Sequence, residues 1–111
     1  MQPSSTAIVE QIVRLLVSGD YAAVERLTSG RNLTAAELEQ AVHDYGRRLV
    51  LPAADEFHVD AIQVTGRVPV TWYVRVDLWT AEEGKSDLSL ELSVVEHPQG
   101  PLAEMDGLHV L

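Results

Sequence analysis

VTWYVRVDLWTAEEGKSDLSLELSV, residues 70–94, is the stretch whose reading decides the fold. On its first arm Val70, Trp72, Val74, Val76 and Leu78 share one face, and Thr71, Tyr73, Arg75, Asp77 and Trp79 the other. On its second arm Leu88, Leu90, Leu92 and Val94 alternate with Asp87, Ser89, Glu91 and Ser93. Successive strand residues point to opposite faces, so this alternation predicts a half-buried antiparallel hairpin. Turning the chain at residues 81–85 sets Thr80 opposite Ser86, Leu78 opposite Leu88, Val76 opposite Leu90 and Val74 opposite Leu92. Arg75 then faces Glu91 on the polar side as an opposite-charge cross-strand pair. A slip of one residue would turn the leucines of one arm to water, so the register is expected to be firm.

Upstream of the hairpin the apolar period changes from two to that of a helix. Ser4, Ser5 and Thr6 are N-cap candidates ahead of Ile8, Ile12, Leu15 and Leu16, and Gly19 is the expected stop. Asp20 can cap a short second helix over residues 21–27, and SGRN at 29–32 reads as a loop. Thr34 and Glu37 form a T-x-x-E capping box, with Leu33 and Leu38 placed as a hydrophobic staple. Leu38, Ala41, Val42 and Tyr45 then share one face, and Gly46 ends this third helix.

Between Arg48 and the hairpin, LVLPAADEF is expected to run extended along an edge of the fold, since Pro52 disfavours helix before it. FHVDAIQVT at 57–65 is a strand candidate with broken phase, which a bulge or a start only after Asp60 would reconcile. Residues 102–111 should add a last strand, again with a parity change, which a bend or bulge at Gly107 explains. Its end at Leu111 is expected to be tied down by the sheet. Helices followed by antiparallel strands predict an α+β fold, with about three N-terminal helices on one face of a four-stranded antiparallel sheet. Residues 1–111 read as one domain, without repeats or a linker.

The chain carries a formal charge of −9, unevenly spread. Residues 1–50 hold six acids against five arginines, net −1, whereas residues 51–111 hold eleven acids against three bases, net −8. Such a field repels phosphate backbones and favours a basic protein partner, so nucleic acid is not expected. No apolar run approaches the roughly 20 residues of a membrane span. The N-terminal apolar stretch contains Glu10 and Arg14 and lacks a basic lead, so it reads as a folded helix and not a signal peptide. The absence of cysteine excludes disulfides, thiolate chemistry and cysteine zinc sites, and fits a cytoplasmic location.

VDLWTAEEGKSDLSLEL at 76–92 and the ending DGLHVL at 106–111 resemble a family of small bacterial domains of unknown function. That family is marked by DLWT-x-EEG-x-SDL-x-LEL and a terminal D-x-LHVL. DYAAV at 20–24 and DYG at 44–46 are similar to it as well, so the resemblance spans nearly the whole chain. It implies a self-contained domain and assigns no catalytic residue, cofactor or substrate.

Candidate chemistry is sparse. Glu82, Glu83 and Asp87 gather at the hairpin turn, where a divalent cation is one reading. No calcium-loop spacing is present, and Gly84, Ser86 and Asp87 have structural work to do in the turn. His43, His58, His97 and His109 form no metal-ligand pattern; His109 would serve general acid–base chemistry only if a pocket paired it with Asp106 or Asp77. Nucleophile and phosphate-loop motifs are absent. The polar face of the hairpin is different: Tyr73, Arg75 and Trp79 stand among Asp77 and Glu91, and Tyr, Trp and Arg are the residues enriched in interface hot spots. An indole on a wet face needs a cover, which the hairpin tip, the 47–56 segment or an identical subunit could supply.

The leading expectation is a non-catalytic interaction module, acidic and immunity- or antitoxin-like. Its expected surface is Tyr73, Arg75, Asp77, Trp79, Glu82, Glu83, Asp87 and Glu91, and it needs no cofactor or metal. The alternatives are a cystatin-like or nuclear-transport-factor-like pocket protein that binds a small molecule or acts as an enzyme, and a structural homodimer.

Overall fold

The computed structural model describes residues 1–29 and 32–110. Three helices come first: α1 (Pro3–Ser18), α2 (Tyr21–Leu27) and α3 (Ala35–Tyr45). Five strands follow: β1 (Leu49–Val50), β2 (Asp60–Gln63), β3 (Thr71–Thr80), β4 (Gly84–His97) and β5 (Gly100–Val110), with a 3-10 turn at Ala54–Glu56. The strands form one antiparallel sheet ordered β1-β3-β4-β5, in which β2 shares with β1 the outer edge of β3. The fold is α+β as the period change predicts. The sheet has five strands instead of four, because the extended run after Arg48 pairs with β3 for two residues before Pro52.

The helices cover one sheet face through an apolar core. Val9, Ile12, Val13 and Leu16 of α1, Val24 of α2 and Leu38 of α3 meet Val74, Val76, Leu78, Leu88, Leu90, Leu92, Val94, Ala103 and Met105, all within 3% of full burial. Val74, Val76 and Leu78 of the first arm and Leu88, Leu90, Leu92 and Val94 of the second therefore turn inward as predicted, whereas Trp72 is only partly buried and Val70, just outside β3, is 38% exposed.

Local signals end the helices where expected. Gly19 and Gly46 adopt left-handed φ of 78° and 73° as C-caps. Asp20 caps α2, and the Thr34/Glu37 capping box is formed in both directions. The start of α1 departs from expectation. None of Ser4, Ser5 or Thr6 caps it; the helix begins at Pro3, whose fixed φ suits a first helical position, with Gln2 as N-cap. Ser5 is instead buried and bonded to Glu96 of β4.

The hairpin register holds in the middle and shifts at the tip. Val74↔Leu92, Arg75↔Glu91 and Val76↔Leu90 pair as predicted, but Thr80 faces Gly84 instead of Ser86. A three-residue turn, 81–83, closed by Gly84 at φ 74°, imposes that tighter pairing. The two surplus residues are absorbed opposite Leu78, between the Asp77↔Ser89 and Trp79↔Lys85 pairs. There Ser86 Oγ donates to the Leu78 carbonyl at 2.6 Å and accepts from the Leu88 amide at 3.2 Å, replacing lost ladder bonds. Strand β2 starts at Asp60, and the parity change of β5 is a bulge at Asp106-Gly107, between the Leu92↔Met105 and Glu91↔Gly107 pairs. Gly30, Arg31 and Leu111 lie outside the described residues, and with them the middle of the expected 29–32 loop and the expected tethering of Leu111.

Candidate functional site: the uncovered face of the sheet

Because all three helices pack on one face, the polar residues of the strands meet on the other. Cross-strand register arranges them in rows. Asp60, Arg75, Glu91 and Gly107 form one row, and Ile62, Tyr73, Ser93 and Glu104 the next. Asp77, Ser89 and His109 form a third, and Val50, Trp79 and Lys85 a fourth.

Ion pairs run along one row and between rows. Arg75 stands opposite Glu91 as predicted, yet its guanidinium reaches outward to Asp60 at 3.7 Å. Glu91 turns the other way, to His109 Nε2 at 3.3 Å. His109 can make that contact because Gly107 has no side chain; a Cβ there would lie 2.9 Å from its Nδ1. Asp77 pairs with Lys85 at 3.5 Å, and Asp106 accepts from Ser93 Oγ at 2.6 Å. The histidine–carboxylate pair that forms is thus His109–Glu91, and neither Asp106 nor Asp77 is its partner.

The carboxylates load this face with negative charge. Burial, reinforced by Glu104 and Glu91, raises the Asp106 carboxyl above its ordinary 3.8, against the opposing bond from Ser93. Burial and then the adjoining Glu91 push the Tyr73 phenol above 10.0. Ser89 Oγ is fully buried and has no hydrogen-bond partner among the described residues, so it offers no reachable nucleophile.

Trp79 is half-buried. Its six-membered ring lies against Gly84 of the hairpin, close enough that a Cβ there would be 3.5 Å from Cζ3, and Val50 is its cross-strand neighbour. Hairpin tip and β1 therefore both shield it. Its remaining surface lines an open recess of about 350 Å³ with Glu56, His58, Val59, Asp60, Asp77 and Lys85. Of these, only Asp77 and Trp79 belong to the expected surface; Glu56, His58, Val59, Asp60 and Lys85 do not. Asp60 was legible in principle, since placing β2 against β3 sets it opposite Arg75.

The expected surface is split by the fold. Tyr73, Arg75, Asp77, Trp79 and Glu91 do come together on the uncovered face. Glu82 and Glu83 are drawn to the helical side: Glu82 accepts from the Arg48 amide at 3.0 Å, and Glu83 accepts from the Tyr45 hydroxyl at 3.0 Å and from Thr80 Oγ1 at 3.1 Å. Asp87 stays exposed, its amide 3.4 Å from the same tyrosine oxygen. Among the described residues no group of three or more His, Asp or Glu is placed to hold a metal ion.

A family described as domain of unknown function DUF7668 matches residues 13–111. The chain belongs to that family. No curated protein and no solved structure matches it. The DUF7668 match begins inside α1 and takes in every strand, so the whole uncovered face lies within it. No helix among the described residues is long and apolar enough to cross a membrane.

Proposed function

We propose that this domain is a non-catalytic protein-interaction module of the bacterial cytoplasm, presenting the uncovered face of its sheet to a basic partner protein. An immunity- or antitoxin-like role, in which an acidic face masks the basic active site of a toxin, is its concrete form. The observation that supports it is the face itself. Carboxylates of Asp60, Asp77, Glu91, Glu104 and Asp106 outweigh Arg75 and Lys85 there, around the aromatic surfaces of Tyr73 and Trp79 and an Ile62 that is 67% exposed. Aromatic anchors within a one-sign electrostatic rim are the ingredients of a steered, specific interface.

Two other occupants fit less well. A second copy of the same face would set carboxylates against carboxylates. A ligand cavity between helices and sheet has little to stand on, since Val9, Ile12, Leu16, Leu90 and Leu92 fill that interior.

The test is the affinity of a partner purified after capture from native lysate. Between about 0.1 and about 1 M salt, where the screening length shrinks from about 10 to about 3 Å, binding should weaken steeply. Asp77→Asn and Asp106→Asn should each weaken it at the lower salt. An affinity indifferent to both salt and substitution would overturn the reading.

A further inference from the structure

The recess beside Trp79 carries an inference that rests on the docking role above. We propose that it is a socket for one cationic side chain of the partner, a guanidinium or ammonium group seated between the Trp79 ring and the carboxylates of Glu56, Asp60 and Asp77.

Size, wall chemistry and present contents all point this way. At about 350 Å³ the recess sits at the bottom of the range of ligand pockets, about 300–1,000 Å³, so it suits one side chain and not a large molecule. Its walls combine an indole, the aromatic face that attracts cations best, with three carboxylates. Asp77 is committed to this space, its side chain only 21% exposed. Glu56, at the end of the 3-10 turn, makes no ion pair among the described residues.

One cation is already there. Lys85, the single lysine of the chain, lines the recess with its ammonium 3.5 Å from Asp77. Its side chain is 67% exposed, and an ion pair that open is held weakly. Lys85 therefore acts as a displaceable occupant: it shows that the recess accepts a cation and competes with the partner for it. Arginine is the better intruder, because its planar, weakly hydrated guanidinium stacks on an indole and bonds a carboxylate in the same pose.

The experiment follows amide and indole N–H resonances of the whole 15N-labelled chain during titration with an Arg-Gly-Arg-Gly-Arg peptide and with its citrulline counterpart. The Trp79 indole signal should move with the arginine peptide and stay still with citrulline. Lys85→Met should bind the arginine peptide severalfold more tightly. Arg67→Met, which makes the same change of net charge in a distant loop, should leave the affinity near that of the parent. Asp77→Asn should abolish the Trp79 response. Equal responses to arginine and citrulline, or no tighter binding by Lys85→Met than by Arg67→Met, would overturn the socket. An unmoved Trp79 with shifts at Glu91 and Asp106 would overturn the socket alone, leaving the docking face standing. No response anywhere on the face would overturn both.

Discussion

Glu96, near the end of β4, accepts the indole N–H of Trp72 at 2.9 Å through one carboxylate oxygen. Its other oxygen takes the Gln2 amide at 2.8 Å and the Ser5 hydroxyl at 2.6 Å. A strand carboxylate thus caps the start of α1, where free amides and the helix dipole favour negative charge. The first helix, which lacks a side-chain cap of its own, is pinned to the sheet by this group.

Replacing that carboxylate should cost more than its surface position suggests. All three partners are donors, so Glu96→Gln turns an amide N–H₂ toward at least one of them. Hydrogen bonds to charged groups contribute about 1.5–3 kcal/mol, and a loss in that range is expected from chemical denaturation. The pH dependence has a definite sign. Burial pushes the Glu96 carboxyl up, but bonds from Ser5, Gln2 and Trp72 outweigh it and hold it below 4.5. A depressed folded value means that the stabilisation is complete above pH 4.5 and fades as pH falls through the folded value. The stability gap between parent and Glu96→Gln should therefore narrow on acidification. A gap that widened would contradict the clamp.

Asp106 should behave oppositely. Its raised folded value means that the native state binds a proton more readily than the unfolded chain, so charge on Asp106 is a burden at neutral pH. Asp106→Asn keeps an acceptor for Ser93 and removes the repulsion from Glu104 and Glu91. Thermal melts at pH 7 should show the variant equal to the parent or more stable, with the advantage lost in acid.

The assignment of the two sheet faces is tested by a pair of substitutions one residue apart. Val76 is 3% exposed against the leucines of β4, so Val76→Asp buries an unpaired charge and should cost several kcal/mol, about 3 or more. Arg75→Ala removes an open pair with Asp60, whose side chains are 40% and 71% exposed, and should cost less than about 1 kcal/mol. Urea titration of both variants compares them directly, and similar losses would reverse the faces.

At the hairpin tip Gly84 holds φ 74° with Trp79 packed beside it. Gly84→Ala forces a side chain into the left-handed region, at a cost of about 1–2 kcal/mol. The added methyl would lie 3.5 Å from the indole, an ordinary contact, so backbone strain and not a clash should dominate. Gly84→Asn, which tolerates that region better, should recover part of the loss in the same melts.

Much of the site was written in short-range pattern. Alternation along β3 and β4 put Tyr73, Arg75, Asp77, Trp79 and Glu91 on one face, because side-chain direction in a strand depends only on the neighbours in sequence. The same locality made Gly19, Asp20, Thr34/Glu37 and Gly46 readable as helix ends. The tip register departs from the alternation because a three-residue turn and the mid-strand pairing disagree by two residues, and only the folded hairpin shows that Ser86 absorbs the difference.

What residue order settled alone is the α+β layout, which side of each strand is apolar, and the sign of the exposed face. Folding in three dimensions decided which charges meet. Gln2 and Glu96 lie 94 positions apart, and Tyr45 and Glu83 lie 38 apart, so no local period could announce either bond. The recess beside Trp79 is of this second kind, since the 3-10 turn, β2 and the β3–β4 hairpin each contribute a wall only after the sheet has closed around them. Periodicity records the partition between water and core, whereas contacts between distant segments depend on register, bulges and turn geometry that the partition leaves open.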